Sequence, residues 1–139
     1  MTLLKKSRFT TIISVRPDDI DMNNHVHSSR YMDIVLAARY IQMHECYGVS
    51  MEQFQEMGFT WMMTESNMHY KRSLVRGDNA IVTTWIEEFK SHTVWVHFEI
   101  KKQITSKVCC TGWFKYTMVD LKTGKAANVP ANIIEKYSI

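Results

Sequence analysis

The most constraining feature of this chain is one helical segment, Tyr31 to about Glu45, whose apolar residues cover most of its circumference. Tyr31, Ile34, Val35, Ala38 and Ile41 fall on one stripe, with Met32, Leu36 and Met43 beside it. A helix apolar on so much of its surface has to be covered on more than one side, which predicts a position inside the fold. Ser28 or Ser29 can cap its start and Asp33 suits its first turn, while Gly48 closes it.

Almost everything else reads as strand. Phe9 to Val15 is rich in Phe, Thr, Ile and Val, and Arg16-Pro17 ends it because the residue before proline avoids helical geometry. After the helix, Ser50 to Met57 offers a short second one, and four long strands follow. These are Phe59–Arg72, Ala80–Phe89, Thr93–Ile104 and Val108–Val119, separated by turns at Arg76-Gly77-Asp78 and Lys90-Ser91-His92. Thr93 to Ile104 alternates cleanly, with Val94, Val96, Phe98 and Ile100 on one face and Trp95, His97, Glu99 and Lys101 on the other. Pro130 to Tyr137 fits a short terminal helix. The expected architecture is α+β: a long central helix wrapped by a curved antiparallel sheet of about five strands, in a single domain over residues 1–139. A sheet of this kind has an edge strand to protect, and a homodimer joining two sheets edge to edge would protect it.

Composition excludes several alternatives. With 45% hydrophobic and 22% charged residues, a chain of 139 residues is neither disordered nor too small for a core. The longest apolar run, Ile34 to Ala38, is stopped by Arg39, so no membrane span is expected. Leu3-Leu4 is too short for a signal-peptide core, and a cytoplasmic protein is the expectation. Cys46, Cys109 and Cys110 are odd in number and form no C-x-x-C, so neither a disulfide framework nor a zinc ribbon is supported, and none sits in an activated setting. The net charge of +3 is scattered over pairs such as Lys5-Lys6, Lys71-Arg72 and Lys101-Lys102, against a nucleic-acid surface. Such pairs suit solvent, or the phosphates of a nucleotide-bearing substrate. Ten methionines beside four tryptophans, six tyrosines and six phenylalanines imply a soft, adaptable interior.

Chemistry concentrates in Asp18-Asp19-Ile20-Asp21-Met22-Asn23-Asn24-His25-Val26-His27, between the first strand and the helix. The free N–H groups of a helix N-terminus bind an anion or a developing oxyanion, and a carboxylate beside them can act as nucleophile or as general base. That combination suits acyl transfer at a carbonyl. On composition alone, an Asx-rich loop that only caps the helix is the commoner explanation. His25 and His27 could share a metal with a carboxylate, but no third histidine has supporting spacing.

The run Asp19-Ile20-Asp21-Met22-Asn23-Asn24-His25-Val26, with Tyr31 beyond it, resembles the signature of the hot-dog-fold thioesterases, of both the 4-hydroxybenzoyl-CoA and the acyl-ACP type. Gly58-Phe59-Thr60-Trp61, Tyr70 and Arg76-Gly77-Asp78 match the layout of these families, so the likeness spans nearly all of residues 8 to 120. The resemblance implies hydrolysis of acyl-CoA, or acyl-carrier protein, to free acid and thiol, with no cofactor and no metal. It puts the catalytic carboxylate at Asp21 and the carbonyl-polarising N–H at Ser28, and the acyl-ACP type adds Asn23 and His25. The later acidic position of the acyl-ACP type corresponds to Ser73, a departure, and Glu65 is a second candidate carboxylate in the strand before it. His25 can equally brace the loop, and Glu65 can equally be a paired surface residue. Trp61, Met62, Met63 and Met68 can line an acyl tunnel or fill core. The resemblance further implies a homodimer or a dimer-of-dimers tetramer, with a non-catalytic acyl-CoA or acyl-carrier binding protein as the alternative.

Overall fold

The computed structural model describes residues 4–139, so that Leu3 of the Leu3-Leu4 pair lies outside the described residues. Strand β1 (Phe9–Ser14) leads through a polar loop to helix α1 (Arg30–Gln42). A wider final turn, Met43–Tyr47, continues α1 until Gly48, at φ 78°, turns the chain out of the helix. Helix α2 (Met51–Glu56) is capped by Ser50, which accepts from Gln53 while the Gln53 side chain answers to the Ser50 N–H. Strands β2 (Phe59–Tyr70), β3 (Asn79–Lys90), β4 (Thr93–Lys102) and β5 (Val108–Asp120) follow, then helix α3 (Ala131–Tyr137). Each expected element is present within one to two residues at most ends.

The five strands form one antiparallel sheet in the order β1-β3-β4-β5-β2. β1 and β2 are therefore the two edges, and α1 joins them across one face of the sheet. The pairing slips between Met63 and Glu65 in β2 and between Ile86 and Glu88 in β3. An extra residue in one strand bends it and increases its twist, which is how long strands curve around a helix. Gly112 serves the same approach: a Cβ there would lie 1.8 Å from the Asn67 carbonyl oxygen of the neighbouring strand.

Side-chain alternation decides which face holds the helix. Val94, Val96, Phe98 and Ile100 of β4 are all buried, as their spacing implies. Tyr31, Ile34, Val35 and Ala38 of α1 pack with Val82, Phe98, Ile100 and Phe114, while Met43, Tyr47 and Phe54 pack with Ile86, Val96, Met118 and Tyr137. One buried polar residue ties the layers together. Gln42 donates to the Thr11 hydroxyl at 3.0 Å and to the Phe9 carbonyl at 3.3 Å, and accepts from Thr84.

The helix departs from expectation on its outer side. Leu36 and Tyr40 are 37% and 51% exposed, with Ala37 between them also exposed. The sheet covers the inner side of α1 and leaves Leu36, Ala37 and Tyr40 facing outward. The apolar pattern of the helix therefore extends beyond the face that the sheet covers.

Candidate active site

The polar loop is ordered by its own backbone and by one buried acid. The Asp19 carboxylate, 3% exposed, accepts from the Arg16 N–H at 2.8 Å and lies 3.4 Å from the Arg16 guanidinium, closing a turn begun by Pro17. The Asp19 carbonyl accepts from the His27 N–H at 2.8 Å, and Ile20 bridges Val26. Asp21 to His25 thus forms the tip of a small hairpin, with Asn24 in the left-handed region at φ 61°, a geometry asparagine tolerates well. His25 also bridges Val75, and the Val26 N–H donates to the Leu74 carbonyl at 2.9 Å, docking the tip onto the segment after β2.

Asp21, Asn23 and His25 are brought together there. One carboxylate oxygen of Asp21, Oδ1, accepts from the N–H groups of Asn23 at 2.8 Å and His25 at 3.1 Å. These bonds hold the carboxyl below its ordinary value, the His25 N–H contributing most, with partial burial opposing and the two histidines assisting. Its other oxygen, Oδ2, accepts nothing among the described residues. Asn23 and His25 contribute backbone to this arrangement while their side chains are exposed.

The start of α1 is pinned from the same segment. The buried Tyr31 hydroxyl accepts from the Leu74 N–H at 2.9 Å, and the Tyr70 hydroxyl donates to the Ser28 carbonyl at 3.1 Å, the two rings meeting edge to face at 5.4 Å. Sequence reasoning missed this pair of tyrosines as a clamp, although both stood in the matched layout. Ser29 occupies the capping position without a side-chain cap bond. The expected serine cap is absent because the residue already has helical backbone angles, which turn its hydroxyl away from the first-turn amides. Among the described residues the N–H groups of Ser28 and Ser29 donate to no acceptor, while those of Arg30 and Tyr31 donate to the His27 and Ser28 carbonyls.

Glu65 and Ser73 stand differently. Ser73 is exposed and adjoins Leu74, at the docked loop. Glu65 sits at the β2 bulge, exposed and 3.4 Å from Lys115. It stands five positions before Tyr70 along the strand, ~17 Å, so the chain does not bring Glu65 to its own loop. The thiols of Cys109 and Cys110 are buried and pushed up, Cys110 to about 11, which removes them as nucleophiles at neutral pH. No cluster of metal-ligating side chains occurs among the described residues, and none of their helices is long and apolar enough to cross a membrane.

A cavity of about 360 Å³ lies between the second half of α1 and the inner face of the sheet. Met43, Met51, Trp61, Met63, Phe89 and Tyr116 are among its walls. Of the four tunnel candidates, Trp61 and Met63 line it, Met62 points outward at 54% exposure, and Met68 packs into core. Its nearest helical residue to the loop is Leu36, eight positions beyond Ser28, or ~12 Å along the axis. The cavity suits the far part of an extended ligand whose reactive end lies at the loop.

The family model described as the Thioesterase-like superfamily matches residues 15–137, which takes in the loop, the helix and all but the first strand of the sheet. The chain belongs to the thioesterase-like superfamily. Among this thioesterase-like protein's relatives is the long-chain acyl-CoA thioesterase FadM of Escherichia coli (strain K12), 23% identical over 129 residues, covering 91% of this chain and 94% of that one. Solved structures share the hot-dog arrangement. The DHNA-CoA thioesterase from Staphylococcus aureus superposes with a TM-score of 0.81 at 21% identity, over 87% of this chain and 80% of that chain. SAV2348 from the same organism, solved in complex with CoA, gives 0.82 at 20% identity, over 98% and 85%. The expected fold and the expected thioesterase class of enzyme both hold.

Proposed function

We propose that this thioesterase-like protein hydrolyses acyl-CoA thioesters to a free acid and coenzyme A, with Asp21 as the attacking carboxylate. One observation carries the reading: an ionised Asp21 with a free oxygen stands on the loop that feeds directly into α1, just ahead of which the Ser28 and Ser29 N–H groups are uncommitted among the described residues. The thioester carbonyl oxygen accepts from the Ser28 N–H, where the partial positive charge of the helix end stabilises the negative charge that develops on it. Asp21 Oδ2 adds to the carbonyl carbon, the C–S bond breaks, and the thiolate leaves to take a proton from solvent. The resulting mixed anhydride is opened by water, which regenerates the carboxylate and releases the acid. A carboxylate held below its ordinary range is a poor base, which favours this route over activation of water. Asn23 orients the thioester or the second-step water, and His25 assists its proton transfer.

The names of FadM and of the CoA complex support CoA over a carrier protein as the acyl donor, and the exposed Lys71 and Arg72 beside the docked loop suit its phosphates. The same proposal takes residues 1–139 as one such domain and assigns it to cytoplasmic lipid metabolism, where CoA thioesters are made and used. It also includes a homodimer, or a tetramer built from it, that pairs two β2 edges and covers Leu36 and Tyr40.

Release of free thiol from a panel of acyl-CoAs, followed for wild type and Asp21→Asn side by side, tests the reading. Turnover by wild type and its loss in the variant are expected. Binding without turnover at every chain length would leave a carrier of acyl-CoA instead.

A further inference from the structure

The cavity behind the helix is apolar except for one charged side chain. Arg39 is 8% exposed and lines it together with Met43, Trp61, Met63 and Tyr116. A guanidinium at this depth needs acceptors for its donors. Its Nη1 is fully enclosed and has none, and no carboxylate among the described residues lies within ion-pair distance.

Aromatic hydroxyls surround it without neutralising it. The guanidinium carbon lies 5.4 Å from the centre of the Tyr47 ring, and the enclosed Tyr47 hydroxyl, itself outside the cavity lining, faces the guanidinium without carrying a compensating charge. Burial pushes the hydroxyls of Tyr47, Tyr116 and Tyr137 up, Tyr116 to about 12, with Arg39 opposing in each case. All three therefore stay protonated at neutral pH, and Tyr137 spends its proton on the Val49 carbonyl at 2.6 Å. What is left is a positive charge in the wall of an otherwise oily cavity. A pocket for a plain hydrocarbon tail has no use for it, since an apolar residue of similar size is stabilising where a buried charge lacks a partner.

We infer that Arg39 recognises an oxygen-bearing far end of the acyl group, an ω-carboxylate above all, so that the preferred substrates are acyl thioesters of dicarboxylic or ω-hydroxylated acids. The inference rests on the thioesterase reading and specifies its substrate class. A carboxylate takes two parallel N–H bonds from a guanidinium. The helix sets the length. Arg39 lies eleven positions beyond Ser28, ~17 Å along the axis, and helical side chains lean back toward the N-terminus, which brings the span to ~14 Å. An extended carbon chain advances ~1.3 Å per bond, given bonds of ~1.5 Å. About ten bonds therefore separate the thioester carbon from the acidic end.

The test compares kcat/KM for decanoyl-CoA, 10-hydroxydecanoyl-CoA and the mono-CoA thioester of decanedioic acid, using wild type, Arg39→Met and Arg39→Lys. Wild type is expected to favour the decanedioyl thioester over decanoyl at least tenfold, with the hydroxy compound between them. In Arg39→Met that ratio falls to about one or below, and Arg39→Lys retains part of it. Calorimetric binding of free decanedioate to wild type, Arg39→Met and Arg39→Lys supplies a readout that needs no turnover: wild type is expected to bind the diacid measurably, Arg39→Met at least tenfold more weakly, and Arg39→Lys in between. The melting temperature of Arg39→Met should equal or exceed that of wild type; should the variant fail to fold, the wild-type rate ratio and Arg39→Lys decide. Decanoyl-CoA hydrolysed as well as the diacid thioester, with decanedioate bound as tightly by the Arg39 variants as by wild type, would overturn the assignment while leaving the hydrolase intact. If no thioester is cleaved, the hydrolase reading fails, and the diacid binding still decides the role of Arg39.

Discussion

At the scale of single residues, the loop is a carboxylate fastened by its own backbone. Asp21→Asn keeps an oxygen that can accept from the Asn23 and His25 N–H groups and removes the charge. The fold should therefore survive while kcat falls by ~10²-fold or more, the scale expected when a reacting group is lost. Near-normal kcat in this variant refutes the role of Asp21. The same bonds make a pH prediction. The folded carboxyl titrates below its ordinary value, so the stability these bonds contribute is present above about pH 3.9 and is lost only as pH falls through the lower, folded value. A carboxyl carbon NMR titration of Asp21 should show a midpoint below ~3.9, and a midpoint above it contradicts the geometry.

At the scale of elements, the site depends on how the segment after β2 meets the start of α1. Tyr31→Phe strands the Leu74 N–H in the core, where an unsatisfied donor costs ~1–3 kcal/mol. Urea unfolding should read that loss, together with a drop in activity as the loop loosens. Tyr70→Phe removes a half-exposed bond to the Ser28 carbonyl and should cost under ~1 kcal/mol of stability, with its larger effect on kcat. In the sheet, Gly112→Ala drives a methyl group into the Asn67 carbonyl. A backbone oxygen cannot swing aside, so destabilisation of ~3 kcal/mol or outright misfolding is expected, and a melting curve within a degree of wild type would show that the strands can part there.

At the scale of the whole molecule, one chain leaves three things uncovered: the β2 edge, the outer face of α1 at Leu36 and Tyr40, and Met62 on β2. Exposed edges and apolar faces of this kind are normally paired. Sedimentation equilibrium at micromolar concentration should give twice the 16.3 kDa chain mass or a multiple of that, and a clean monomer refutes the proposed assembly.

The sequence by itself determined the elements, since their periods are local. Alternation marked Val94 to Lys101 as strand, an apolar stripe interrupted by one arginine marked α1, and Ser50 and Gly48 marked helix ends. It also picked out the Asp21 loop, because acids, amides and histidines crowded before a buried helix form a pattern readable along the chain. Distance in space is not written that way. That Tyr31 and Tyr70 clamp the helix start, that Glu65 pairs with Lys115 away from its own loop, and that Ser29 leaves its helix uncapped all follow from contacts between residues far apart in sequence or from backbone angles. Arg39 makes the contrast plainest. In sequence it is the charge that ends an apolar run; only packing shows that it lies enclosed in a cavity with no partner, because burial is a property of what surrounds a side chain rather than of the side chain itself.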